Sequence, residues 1–196
     1  MGNMNKVHEK KGFWKQVNED RRKLKILWTF THGHSGTENL RVPTQTGPNP
    51  SADIVAKDPA GQRIDFSSVR SESMSANELA LGTVPEEDEF NFFDGRPFVF
   101  LNGCETGTEG SEGTTGLSFP GVFIRSGARA AVVTEAIVWD SFAYYFGETF
   151  LRNISSGAMD AGEAMLHTRR QLLSDSNNPL GLLYSYYGPA SVRIAH

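Results

Sequence analysis

An α/β fold built on a mostly parallel sheet is what this sequence predicts, and three observations carry that prediction. Residues 24–31, 97–102 and 128–134 are short, nearly continuous apolar runs rich in strand-forming residues, and helical stretches lie between and after them. A parallel sheet covered by helices on both faces loses the polar-apolar alternation of a half-exposed sheet, so runs of this length fit buried parallel strands. The 196 residues, 38% of them hydrophobic, match one ordinary domain with a continuous core.

Residues 13–23 are charged, with Phe13, Trp14 and Val17 scattered among them, and predict a short surface helix. The first strand follows over 24–31, and then a loop over 36–50, where Pro43, Gly47, Pro48 and Pro50 leave little room for regular hydrogen bonding. Residues 53–56 and 62–66 flank Lys57-Asp58-Pro59-Ala60-Gly61 and predict a hairpin whose turn dihedrals come from Pro and Gly. Ser75-Ala76-Asn77-Glu78 is a capping box, which predicts a short helix through Leu81 closed by Gly82. The acidic run 86–89 reads as a solvated linker.

The second strand is 97–102 and the third 128–134, with a short helix near 117–126 before it. After Asp140, helical spacing puts Phe142, Phe146, Thr149 and Phe150 on one face. A last helix opens with the capping box Asp160-Ala161-Gly162-Glu163, and residues 188–194 are expected to add a final strand. Residues 1–23 are read as an N-terminal extension or the remnant of a preceding unit, and 24–196 as the domain proper.

A formal charge of −4, from 19 Lys+Arg and 23 Asp+Glu, lacks the basic footprint that a phosphate backbone requires, so nucleic acid is not an expected direct ligand. No apolar run approaches the roughly 20 residues that cross a bilayer, and the polar first 20 residues lack a signal peptide's apolar core. The expectation is a soluble, cytoplasmic protein with no membrane partner. The one cysteine, Cys104, forms no internal disulfide and rules out metal sites made of several thiolates. No cofactor is expected.

Two predicted strands end in polar, glycine-rich turns: Thr31-His32-Gly33-His34-Ser35-Gly36 and Asn102-Gly103-Cys104-Glu105-Thr106-Gly107. Ligands of open parallel sheets bind beyond the carboxyl ends of the strands, so both turns are placed at one cleft. A free thiol has a pKa of about 8.5 and needs a base or a positive environment to react at neutral pH. An imidazole supplies it: it takes the thiol proton and later gives it to a leaving amine. Gly33 and Cys104 can each offer a main-chain N–H to a developing oxyanion.

A lone Cys or His is by itself an ordinary packing or surface residue. The strand-end position and glycine-flanked turns of both groups favour chemistry instead. His34 competes for the base role, but His32 follows the strand at once and precedes the glycine. Asn102, two residues before Cys104, fits equally a first specificity pocket or a hydrogen bond within the turn.

Leu27-Trp28-Thr29-Phe30-Thr31-His32-Gly33 resembles the His-Gly strand of the CHAT domain family, and Phe98-Val99-Phe100-Leu101-Asn102-Gly103-Cys104-Glu105-Thr106-Gly107 resembles its Cys-Glu-Thr-Gly strand. A third stretch, from Gly116 through residues 127–133 to Trp139-Asp140 and on to Tyr187-Gly188-Pro189-Ala190, resembles the family's C-terminal half. The resemblance covers about 24–194. It implies a caspase-like, three-layer α/β/α sandwich and a cysteine endopeptidase acting on a protein or peptide through a His32–Cys104 dyad, with Gly33 and Cys104 N–H groups as the oxyanion hole. Caspases place His before Cys in the same order. The family also implies a regulated effector of a larger assembly, of the kind found in bacterial defence and joined to tetratricopeptide repeats; the alternative is a silent caspase-like interaction domain. Asn102-Gly103 replaces the family's usual Ser-Ala, which leaves substrate preference open. Only 23 residues precede Leu24, fewer than a caspase-like sheet normally uses. That admits a fragment, a compact variant, or a subunit whose sheet another segment or partner completes.

Overall fold

The computed structural model describes residues 10–20, 22–30, 32–34, 39–42, 54–57, 63–65, 73–83, 92–104, 106–107 and 118–194. Its main sheet has four strands, β1 (Ile26–Phe30), β7 (Phe98–Asn102), β8 (Ala130–Thr134) and β9 (Tyr184–Tyr187), in the order β1-β7-β8-β9. The first three are parallel and β9 is antiparallel to β8. Two smaller sheets hold β2 (His32–His34) with β5 (Arg63–Asp65) and β6 (Ser73–Ser75), and β3 (Asn39–Val42) with β4 (Ile54–Lys57).

All five residues of β7 and all five of β8 are buried, which is why their sequences are apolar without alternation. Successive side chains still point to opposite faces. Phe98, Phe100, Ala130 and Val132 meet the aromatic face of α4 (Asp140–Ser155), made by Phe142, Phe146 and Phe150, with α5 (Ala161–Ser176) beside it. Val99, Leu101, Ala131 and Val133 meet Phe13 and Val17 of α1 (Lys10–Asp20), Leu79 of α2 (Ala76–Thr83) and Phe119, Val122 and Phe123 of α3 (Phe119–Arg125). Helices on both faces of a mostly parallel sheet make the three-layer α/β/α sandwich that the family resemblance implies.

Local signals hold at the helix starts, whereas Gly82, expected to close α2, lies inside it, because the helix runs on to Thr83. Ser75 N–H donates to Glu78 Oε2 at 2.9 Å and Glu78 N–H to Ser75 Oγ at 3.1 Å, closing the capping box of α2. Asp160 and Glu163 do the same for α5. The predicted helix over 13–23 runs from Lys10 to Asp20 and is not confined to the surface: Phe13 and Val17 are buried in the core. The acidic run 86–89 lies outside the described residues.

Pairing departs from the prediction in several places. β4 and β5 form, but not as one hairpin: β4 pairs with β3, putting Ile54 opposite Val42 and Ala56 opposite Leu40, and β5 lies between β2 and β6. β3 falls inside the expected loop and ends just before Pro43, which has no N–H to continue a ladder. At the C-terminus the strand is Tyr184–Tyr187, not 188–194. Gly188 has φ +133, and a Cβ there would stand 2.9 Å from Ala130 Cβ and 3.0 Å from Arg129 O, so the chain turns away from the sheet at this residue. The segment beyond uses its carbonyls at the start of α5: Ala161 N–H donates to Val192 O at 2.8 Å and Gly162 N–H to Ala190 O at 2.9 Å. Free N–H groups at a helix start need such acceptors.

Candidate active site

β1 and β7 run parallel in register from Ile26 opposite Phe98 to Phe30 opposite Asn102. His32 follows Phe30 by two residues and Cys104 follows Asn102 by two, so both stand beyond the carboxyl ends of neighbouring strands. The His32-Gly33-His34 segment is a strand, β2, where the sequence predicts a turn; His32 pairs with Asp65, Gly33 with Ile64 and His34 with Arg63. The chain thus leaves the main sheet at His32 and joins the β5–β6 hairpin. The side chains of His32 and His34 lie outside the described residues.

Cys104 is a half-buried free thiol whose Sγ donates to Val138 O at 3.5 Å. Val138 is buried between Ile137 and Trp139, which are 69% and 75% exposed. Large apolar side chains so open to solvent therefore flank the residue that faces the thiol.

The peptide before Cys104 is held from the other side. Gly103 O accepts from Thr106 Oγ1 at 3.1 Å and from Thr134 Oγ1. Thr134 N–H donates to Thr106 Oγ1 at 3.1 Å, and Gly107 N–H donates to Thr134 O at 2.7 Å. Gly107 is required by this close approach, since a Cβ would lie 2.6 Å from Glu135 Oε1 and 2.7 Å from Val133 Cγ2. Asn102, for which the sequence left a pocket and a turn role equally open, is 1% exposed. Its Nδ2 donates to Ala143 O of α4 at 2.7 Å, and its Oδ1 accepts from Tyr184 OH at 2.7 Å. Burial first, and the neighbouring Cys104 charge second, raise the Tyr184 phenol well above the ordinary tyrosine range, so it remains a donor at neutral pH.

The sequence alone assigns no role to Thr106 within the cysteine turn, nor to Thr134, Val138 or Tyr184. A polar residue ending the apolar run Ala130–Thr134 was the one available signal for Thr134. Nothing in the run Leu-Leu-Tyr-Ser-Tyr-Tyr distinguishes Tyr184 from its neighbours.

Part of the chain is similar to a Vitiosangium sp. (strain GDMCC 1.1324) protein named "Probable protease", 29% identical over 99 residues. The match takes in 50% of this chain and 13% of that relative, so the chain spans a small part of its relative's length. Among the described residues no helix is long and apolar enough to cross a membrane. The sequence profile of the CHAT domain, a family related to caspase-like proteases, matches residues 3–186, and with the sandwich and the two strand ends described above this chain belongs to the CHAT domain family.

Proposed function

We propose that this chain is a cysteine endopeptidase in which Cys104 is the nucleophile and His32 the general base. The observation that carries the reading is the β1–β7 register, which brings the strand ends bearing His32-Gly33 and Cys104 side by side. In the proposed cycle the His32 imidazole takes the thiol proton and the thiolate attacks the scissile carbonyl carbon. The oxygen that becomes negative accepts hydrogen bonds from the Cys104 and Gly33 N–H groups. Imidazolium then protonates the departing amine, leaving a thioester. Water, deprotonated by the same imidazole, attacks the thioester and restores the thiol with release of the acid.

Ile137 and Trp139 give the substrate chain an apolar wall beside the thiol, and Asn102 supports the β7 end through Ala143 and Tyr184. In the resting arrangement the thiol donates to the Val138 carbonyl, which cannot take its proton. Reaction therefore requires the thiol proton to leave the Val138 carbonyl for the imidazole, a step that a further segment or partner protein would control in the proposed effector.

Cys104→Ala and His32→Ala are each expected to abolish cleavage of a peptide library. The double variant should be hardly worse than either, because a dyad acts as one unit. Cleavage retained by Cys104→Ala would remove the reading. Cleavage retained by His32→Ala alone would move the base role to His34.

A further inference from the structure

The Cys104 N–H belongs to the peptide unit whose oxygen is on Gly103, and that oxygen is gripped by two hydroxyls. Thr106 Oγ1 approaches it at 3.1 Å and Thr134 Oγ1 also donates to it. Both threonine side chains are fully buried. They brace one another, because Thr134 N–H donates to Thr106 Oγ1. Thr134 ends a strand otherwise made of Ala-Ala-Val-Val, so its buried hydroxyl carries a desolvation cost that a valine would avoid. Among the described residues the Cys104 N–H has no acceptor of its own. One end of this peptide is thus doubly bonded within the fold while the other is left to a ligand.

Two donors on a carbonyl draw electron density toward its oxygen, and through peptide resonance they leave the attached N–H more positive. Cooperative strengthening of this kind is put at about 10–30% per bond. The same two bonds stop the peptide plane from rotating, so the N–H keeps one direction. We propose that Thr134 and Thr106 are positioning residues for the oxyanion hole, acting through the Gly103 carbonyl on the Cys104 N–H. The inference rests on the peptidase reading above. Thr134 is the sharper probe, since Thr106 divides its donation with Leu101 O at 3.2 Å.

The test compares wild type with Thr134→Val, which keeps the shape and loses the hydroxyl, and Thr134→Ser, which keeps the hydroxyl. Three readouts are taken under conditions in which wild type is active: kcat and KM on a cleaved peptide, affinity for a peptide aldehyde, and the rate of Cys104 alkylation by iodoacetamide. An aldehyde captured by the thiol places its oxygen where the oxyanion forms, whereas alkylation displaces iodide at a saturated carbon and forms no oxyanion. Thr134→Val should lower kcat and aldehyde affinity by about 5- to 30-fold, short of the roughly 100-fold lost with a whole donor. KM and alkylation should stay within about twofold, and Thr134→Ser should recover most of the loss.

An equal fall in alkylation would overturn the proposal, because it would show a displaced turn. So would an unchanged aldehyde affinity, or a Ser variant no better than Val. If Thr134→Val does not fold, Thr134→Ala carries the same comparison without a methyl against the Gly103 oxygen. Failure of the peptidase reading shows differently: wild type itself would alkylate yet neither cleave peptide nor capture aldehyde in any state, and the proposal would fall with that reading.

Discussion

Tyr184 ties three parts of the molecule together through one hydroxyl. Its ring stacks on Phe146 of α4 with centroids 3.7 Å apart, and its OH holds Asn102 at the end of β7, which in turn holds Ala143 of α4. The phenol is raised by burial and by Cys104, so the folded state prefers it protonated. A raised pKa means that this stabilisation is complete below the unfolded value of about 10 and is lost as pH climbs toward the folded one. Tyr186, pushed up to about 12 by burial and then by Asp160, acts with the same sign. Thermal melts are therefore expected to fall off above about pH 10, with a shallower decline in Tyr184→Phe. That variant should also lose about 1–3 kcal/mol at neutral pH, because the buried Asn102 Oδ1 is left without its donor. Equal melting of variant and wild type at neutral pH would show that the bond is not needed.

Among the elements, those settled by neighbouring residues were legible in the sequence. β7 and β8 announce themselves as apolar runs, the capping boxes of α2 and α5 each involve residues three apart, and α4 shows its aromatic face in its spacing. The strand-end positions of His32 and Cys104 were legible for the same reason. What was not legible depends on which segments meet. Three- and four-residue strands such as β2, β3 and β5 carry too few residues to name a partner, and a one-residue shift in pairing would reverse every side chain. The Thr134 hydroxyl meets an oxygen 31 residues away, and Tyr184 meets an amide 82 residues away. Neither contact exists until β7, β8 and β9 are aligned. Gly188 fixes the end of β9, since its φ of +133 is close to glycine's own territory. Gly188→Ala is expected to cost about 1–3 kcal/mol from backbone strain alone, more with the contact to Ala130. Chemical denaturation measures it, and a loss below a few tenths of a kcal/mol would show that the backbone adapts.

For the whole molecule, the sheet order sets where control can act. Cys104 follows β7, an interior strand with β1 and β8 on its two sides, whereas His32 follows β1, which among the described residues has a strand neighbour on one side alone. The proposed nucleophile thus follows a strand held on both sides, and the proposed base follows an edge strand. Unpaired strand edges invite another segment, and pairing there would steady the junction from which His32 emerges. On the proposed reading, such a partner would raise activity by as much as it prefers the state in which the thiol donates to imidazole over the one in which it donates to Val138. The expected outcome is that the purified chain turns over a diverse peptide library slowly, and that a larger polypeptide containing it, or a co-purifying protein, raises kcat more than it lowers KM. Iodoacetamide labelling of Cys104 at neutral pH should accelerate in parallel and lose that acceleration in His32→Ala. Full turnover by the chain alone, unaltered by any addition, would show a dyad already assembled at rest and remove the edge from its regulatory role.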